Sequence, residues 1–251
     1  PKLLTGSMGT LGVITQMTLK VRPRPQSIAL ALCPIETAQD ASTVLEQLNL
    51  SGTRPVAIEL LNQAGARLAG LGDTATAPWL LALGYEDHPD AITWQARTIA
   101  EELRPRTVNI LREQEAEHAW DQLSDWADRA AESGGVAILA NLRRSAVARF
   151  ADLFDPTAWR IQAHAGNGIV RAVRVAEPAP DVADVARELA TARTLAVQGQ
   201  GNLIVTQCPT DWKPTLKVWG EPRPDWELAR RIKTALDPGR VLNPGRFLDT
   251  L

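Results

Sequence analysis

Three glycines at positions 6, 9 and 12 stand in Thr5-Gly6-Ser7-Met8-Gly9-Thr10-Leu11-Gly12-Val13-Ile14, directly before a run of β-branched and apolar residues. Glycine tolerates positive φ and has no Cβ, so a loop of this spacing lets backbone N–H groups approach a phosphate or a planar ring. Ser7 and Thr10 add short hydroxyl donors, which suits a pyrophosphate held by fixed dipoles rather than by a lysine. A glycine-rich turn without any ligand has the same spacing. The stretch is not a Rossmann fingerprint, because it leads into a strand and that fingerprint leads into a helix.

A second group lies far downstream, in His164-Ala165-Gly166-Asn167-Gly168-Ile169-Val170-Arg171. A neutral imidazole near pH 7 can take a hydroxyl proton or donate to an oxyanion, which makes His164 a candidate general base or oxyanion donor. Arg171 and Arg174 stand at odd spacing on one strand and so point to opposite faces, and the inward one can hold a carboxylate bidentately. The plainer readings are a structural histidine at a strand end and a solvated arginine face. Asn243 precedes Pro244, which by itself is a turn signal. Of the eight tryptophans, Trp94, Trp120 and Trp126 occupy helix-face positions that suit a core, while Trp219 beside Gly220 is free to wall a ligand. Cys33 and Cys208 show no metal-ligand spacing, and a lone imidazole is a poor metal site, so no metal is expected. Two buried free thiols in a reducing compartment are the simplest reading.

The elements that must place these groups alternate. Leu11–Val21 reads as a strand closed by Arg22-Pro23-Arg24-Pro25, whose prolines cannot donate to a ladder and mark a domain boundary. Strands are expected at 27–33, 56–61, 79–85 and 107–111, with helices at 37–48 and 90–103. That is the order of a ferredoxin-like βαββαβ unit. One helix at 115–131 follows. The order then repeats, with strands at 136–141, 159–164, 169–175 and 202–207 and helices at 145–154 and 181–197. Residues 71–78 read as a mobile loop. A last helix begins at Asp225 as its cap, presents Trp226, Ala229, Ile232 and Leu236 on one face, and stops at Asp237-Pro238-Gly239.

The expected fold class is therefore α+β: residues 1–25 end one domain, residues 26–222 form two ferredoxin-like halves whose antiparallel sheets join or face each other, and residues 223–251 form a helix and tail that return to the first domain. The 45% apolar and 22% charged residues are those of a globular protein with a normal core. A net charge of −2 without any dense Lys/Arg run argues against nucleic acid as a partner. No membrane span and no leader pattern is found, and the compartment expected is the cytoplasm. The start on Pro1, without Met, suggests a fragment.

The stretch Gly6 to Pro25, GSMGTLGVITQMTLKVRPRP, resembles the end of the flavin-binding domain in the vanillyl-alcohol oxidase/PCMH superfamily of FAD-linked oxidases. The closing ALDPGRVLNPGRF resembles the C-terminal signature of the same superfamily, and the two matches stand at opposite ends of the chain. The resemblance implies FAD as cofactor, with Gly6, Ser7, Gly9, Thr10, Gly12, Val13, Ile14 and Asn243 near it. Residues 164–171 resemble the His-x-Gly-Asp-Gly-Asn-x-His segment of D-2-hydroxyacid dehydrogenases, where two histidines and a later glutamate can hold a metal. Here His164 keeps the first histidine, Asn167 replaces the motif's Asp, Arg171 stands at its second His, and Val197-Gln198-Gly199-Gln200-Gly201 lacks the later glutamate. With Val218-Trp219-Gly220, that departure is similar to the FAD-binding subunits of bacterial glycolate oxidases. It implies oxidation of a glycolate-like 2-hydroxy acid by hydride transfer to flavin, with His164 and Arg171 catalytic. It also implies a second flavin subunit and an iron–sulfur subunit as partners, and a possible place peripheral to the inner membrane through that complex. The alternatives are a non-catalytic assembly or electron-relay subunit, or an oxidase of the same superfamily acting on an alcohol or sugar. With the N-terminal phosphate loop outside these residues, weak flavin binding by this stretch alone is expected.

Overall fold

A computed structural model describes residues 2–132, 135–176 and 179–248. The chain divides into two units, Arg24–Leu216 and the pair of segments Pro1–Pro23 and Lys217–Leu251.

In the larger unit the order is β1 (Ser27–Ile35), α1 (Ala38–Leu48), β2 (Ala57–Asn62), α2 (Gln63–Leu68), β3 (Trp79–Asp87), α3 (Pro89–Glu102), β4 (Asn109–Arg112). It continues with α4 (Glu113–Ser124), α5 (Trp126–Glu132), β5 (Gly135–Asn141), α6 (Val147–Ala151), β6 (Trp159–His164), β7 (Ile169–Val175), α7 (Val182–Gln198), β8 (Asn202–Gln207) and α8 (Lys213–Leu216). Local chemistry explains the helix starts. Thr37 and Asp181 each accept a backbone N–H from the first turn of α1 and α7, the usual way of satisfying one orphan donor.

Among the described residues, the eight strands form one antiparallel sheet in the order β4-β1-β3-β2-β6-β7-β5-β8. Each half has the ferredoxin-like order, and the halves join edge to edge through β2 and β6. That joint is a short ladder, Glu59 with His164, Leu60 with Ala163 and Leu61 with Gln162. Asn62 extends it by side chain. Its Nδ2 donates to the Trp159 carbonyl at 2.7 Å, and its Oδ1 accepts from Ile161 N at 3.0 Å and Gly65 N at 2.8 Å.

Alternation along the strands sorts the side chains. One face carries Leu30, Leu32, Leu61, Leu80, Ala82, Ala137 and Val173 under α2, α4 and α5. Trp126 is fully buried there and donates its Nε1–H to the Gly65 carbonyl. On that face Glu59, Gln162, His164, Ile169, Arg171, Leu139 and Ile204 share register. Of these, His164, Ile169, Arg171, Leu139 and Ile204 are partly exposed, so the helices leave a strip of this face uncovered. On the opposite face Trp159 donates to Glu188 of α7 at 2.8 Å.

Several sequence expectations change. Leu11–Val21 forms no strand: its apolar residues Val13, Ile14, Met17, Leu19 and Val21 are exposed, and no described segment supplies a ladder. A strand needs a partner for its backbone groups as well as β-branched residues. The helix expected over 115–131 is two, broken at Asp125. Residues 71–78 are not an open loop, since Leu71, Ala75 and Ala77 are buried. Trp94 is 54% exposed rather than core, and Cys208 is only partly buried.

In the smaller unit α9 (Asp225–Leu236) is capped by Pro224 without a side-chain cap bond, so Asp225 is its first helical residue and not its cap. Trp226 is buried against Leu248, with Trp219, Ala229 and Phe247 packed on that pair. Leu236, expected on the apolar face, is exposed, and the second buried residue of the helix is Lys233.

Candidate functional site

Among the described residues, one set of side chains in each unit can do chemistry.

In the smaller unit the glycine loop turns through Gly6 at φ +79° and Gly9 at φ +70°, with Met8 between them at φ +54°. The Thr10 hydroxyl does not point outward: it donates to the Ser7 carbonyl at 2.7 Å and is buried. Lys233 is 2% exposed and spends all three ammonium protons inside, on the Thr10 carbonyl at 2.7 Å, the Leu242 carbonyl at 2.8 Å and Asp237 Oδ2 at 2.6 Å. Asp237 accepts also from Val241 N and Leu242 N. The Lys233 hydrogen bond first, then the Leu242 N–H, holds its carboxyl down at about 2. Asn243 Nδ2 donates to the Met8 carbonyl at 2.8 Å. One buried lysine and one asparagine thus fasten the glycine loop to the C-terminal tail.

Gly9, Gly12, Val13, Ile14, Val241 and Asn243 line a groove of about 430 Å³. A Cβ on Gly9 would meet Asn243 Nδ2 at 2.8 Å, so only glycine leaves the wall its present shape. Such a wall of backbone and short apolar side chains suits one face of a planar ring, and the volume falls within the range of small-molecule sites, about 300–1,000 Å³. Ser7 lines this groove as well, whereas Gly6 and Thr10 line, with Ser7, a second, apolar cavity of about 210 Å³. Trp219 stacks edge-on against Phe247 at 5.0 Å and packs with Trp226 and Leu248, a structural role in this unit.

In the larger unit the strand register makes the second set. His164 ends β6 directly opposite Glu59 of β2, and its Nδ1 lies 2.6 Å from Glu59 Oε1. Gln162, two residues back on the same face, stands opposite Arg171 of β7. The odd spacing of the two arginines separates them as expected: Arg171 shares the face of His164, and Arg174 lies on the other face, 3.5 Å from Glu188 of α7. Arg171 is therefore the inward candidate.

Electrostatics in this cluster are opposed. Burial pushes the Glu59 carboxyl up, while the His164 hydrogen bond and the charges of His164 and Arg171 pull it down. Burial is the largest effect, and the net shift is upward. Gln162 lies beside the carboxylate but gives its Nε2 to the Leu123 carbonyl at 2.8 Å. Glu59 Oε2 and Gln162 Oε1 are both buried without a hydrogen-bond partner. The more enclosed member of the pair is the carboxylate, with 9% of its side chain exposed against 24% for the imidazole.

The isolation expected for His164 is thus corrected: it has a carboxylate partner. That partner lies 105 residues away in sequence, so no local spacing could reveal it. The usable signal was a glutamate inside the apolar strand Ala57–Asn62, where an acid needs a reason to be buried. Among the described residues, no group of three or more His, Cys, Asp or Glu side chains converges as a metal site would. No helix among them is long and apolar enough to cross a membrane.

Comparison with known proteins agrees with this architecture. The mitochondrial cytochrome-type D-lactate dehydrogenase of Arabidopsis thaliana is 26% identical across 98% of this chain, which spans 47% of that protein. The chain therefore covers about half the length of this relative. A D-lactate dehydrogenase of Anaerostipes hadrus is 38% identical, over 24% of this chain and 13% of its own. Among solved structures, p-cresol methylhydroxylase with substrate bound superposes with a TM-score of 0.60 at 12% identity, covering 91% of this chain and 54% of that one. The carbohydrate oxidase of Microdochium nivale gives 0.56 at 13%, covering 94% and 58%. At these identities the likeness is one of fold. The family model described as "FAD linked oxidases, C-terminal domain" matches residues 24–141 and 220–247, more than half of the sequence, and the chain belongs to that family of FAD-linked oxidoreductases.

Proposed function

We propose that this protein oxidises a small 2-hydroxy acid of the glycolate or lactate kind to the corresponding 2-keto acid, with FAD as the electron acceptor. One observation carries the reading: a carboxylate-paired imidazole, His164, and a guanidinium, Arg171, share the uncovered strip of the sheet. The similarity to D-lactate dehydrogenases supports the substrate class.

In this reading Arg171 holds the substrate carboxylate, and the imidazole of His164 takes the proton of the 2-hydroxyl. As the O–H bond breaks, its electron pair forms the carbonyl, and the hydrogen on C2 departs with the electron pair of its C–H bond. Bound FAD supplies the acceptor for that hydride. Substrate thus loses one proton to His164 and one hydride to the cofactor. The apolar neighbours Leu139, Ile169 and Ile204 lie on the same strip and suit a short apolar side chain on C2. In this reading the groove of the smaller unit, with Gly9, Gly12, Val13, Ile14 and Asn243, would hold the flavin, and Gly6, Ser7 and Thr10 shape that loop. In a glycolate oxidase-type assembly the electrons then pass to a partner subunit with an iron–sulfur centre.

Mixing the FAD-loaded full-length protein with glycolate or D-lactate under anaerobic conditions should bleach the flavin. His164→Ala should slow that step by about 10²–10⁴-fold, the usual contribution of a general base, with flavin content unchanged. Arg171→Met should raise KM, and about 2–3 kcal/mol for a charged hydrogen bond corresponds to roughly 30–150-fold. Bleaching by neither acid, with or without a partner subunit, would overturn the reading. Bleaching only when a partner subunit is present would support the alternative, a relay or assembly subunit, which the replacement of the second histidine position by Arg171 favours.

A further inference from the structure

We infer that Glu59 is a positioning residue for His164: its carboxylate accepts the Nδ1–H of the imidazole and leaves Nε2 as the ring's proton acceptor. The inference rests on the reading of His164 as the base and adds to it the group that orients that base.

Four observations carry it. The strand register sets Glu59 directly opposite His164 at the β2–β6 joint, so the pair is built by the sheet and not by a mobile loop. The separation of 2.6 Å puts Nδ1 and Oε1 within hydrogen-bond reach. Glu59 is the enclosed end of the pair and His164 the exposed end, so the imidazole is the member a ligand can reach. Against the upward push of burial, the hydrogen bond and charge of His164, then the charge of Arg171, favour the ionised form of the same carboxylate. An ionised carboxylate has no proton to give, so the nitrogen facing it must be the donor. A neutral imidazole with its proton on Nδ1 carries its lone pair on Nε2. The logic is that of any base held by a third group: the partner selects the tautomer and the ring orientation, and the base does the proton transfer.

The joint also explains the placement. β2 and β6 belong to different halves of the sheet, and their ladder is only three pairs long, with the Glu59–His164 pair at its end. A buried carboxylate at this edge would otherwise lack a donor on Oε1, as it already does on Oε2.

The test is the tautomer of His164 in the full-length protein labelled with ¹⁵N-histidine, which has three histidines to resolve. His164→Gln assigns the signal by its disappearance. Long-range ¹H–¹⁵N correlation should report the Nδ1–H form for His164. Glu59→Leu, an apolar replacement of similar size that can remain folded, should move the signal to the Nε2–H form. It should also lower the flavin reduction rate at saturating hydroxy acid at least about tenfold, with KM and flavin content within about twofold. Glu59→Asp keeps the carboxylate and should restore the Nδ1–H signature in part. A His164 ring found as Nε2–H, or doubly protonated, at neutral pH in the parent protein would overturn the inference, as would an unchanged Nδ1–H signal in Glu59→Leu. Because the tautomer is read without substrate, the two readings fail separately. A Nδ1–H ring that vanishes with Glu59→Leu, beside a flavin that no hydroxy acid bleaches, would sustain the pairing and remove the proposed activity.

Discussion

Asn62 is the single residue on which the junction between the two halves of the sheet should depend most. It is 1% exposed, and its amide makes three hydrogen bonds, from Nδ2 to the Trp159 carbonyl and to Oδ1 from the N–H groups of Ile161 and Gly65. The first two cross from β2 to β6, and the third caps α2. Asn62→Ala leaves two buried N–H groups and one buried carbonyl without partners. Each orphaned group costs about 1–3 kcal/mol, so the three together span about 3–9 kcal/mol before relaxation. Water entering the space of the lost amide offsets part of this, which places the expected loss at about 3–5 kcal/mol, a large share of the roughly 5–15 kcal/mol that holds a domain together. Urea unfolding followed by tryptophan fluorescence measures it, with the midpoint falling and the slope unchanged if the sheet still unfolds as one. The control is Asn202→Ala, which removes an exposed amide pair with Asn141 and should cost less than about 0.5 kcal/mol. A melt of Asn62→Ala within about 1 kcal/mol of the parent would refute the claim that this side chain fastens the joint. The Glu59–His164 pair lies in the same short ladder, so the variant should also reduce flavin more slowly.

Three further outcomes are expected from the smaller unit. Lys233→Met removes the donor to the Thr10 and Leu242 carbonyls, a loss of about 3 kcal/mol or more at about 1.5–3 kcal/mol for each charged hydrogen bond, and amide exchange at Val241 and Leu242 should quicken accordingly. Asp237 has its folded carboxyl lowered from 3.8 to about 2, so its contribution is complete above about pH 4 and is lost as pH falls through about 2; tryptophan fluorescence should report that acid transition, and Asp237→Asn should flatten it. Gly6→Ala meets no atom within 4 Å and pays only for its positive φ, about 1–2 kcal/mol, whereas Gly9→Ala adds a contact at 2.8 Å with Asn243. Gly9→Ala should therefore lower the melting temperature further and displace the Asn243 side-chain amide in NMR spectra, while Gly6→Ala leaves that amide in place.

Much of the architecture was legible from pattern. Strands 159–164, 169–175 and 202–207 begin and end in the structure at the residues expected from the sequence, because turn residues such as Gly166, Gly168, Gly201 and Pro209 bound them. The βαββαβ order, read twice, predicted two antiparallel sheets that join or face each other, and the structure joins them into one. The order did not predict which edges meet, since two such units can join or stack with the same local pattern. Residues 115–131 read as one helix because the break at Asp125 leaves the apolar period almost in phase on both sides. Leu11–Val21 misled in the other direction: propensity marks a strand, but a strand exists only when a second segment accepts its hydrogen bonds.

The candidate sites divide along the same line. The glycine loop and the final Asn-Pro turn are written in consecutive residues, and so are the alternation that puts Arg171 and Arg174 on opposite faces and the isolation of His164 from any neighbouring ligand in sequence. Composition and periodicity thus determined the fold class and the residues worth considering, and the stretches at the two ends carried the resemblance to a family. Only the tertiary structure decided who stands beside whom. It set Glu59 against His164 across 105 residues, chose Arg171 over Arg174 as the inward cation, turned the Thr10 hydroxyl inward, and buried Lys233 between the loop and the tail. The physical reason is that strand register and charge burial are properties of pairs distant in sequence. A side chain's partner is settled by which backbones pair, and no window along the chain contains that information.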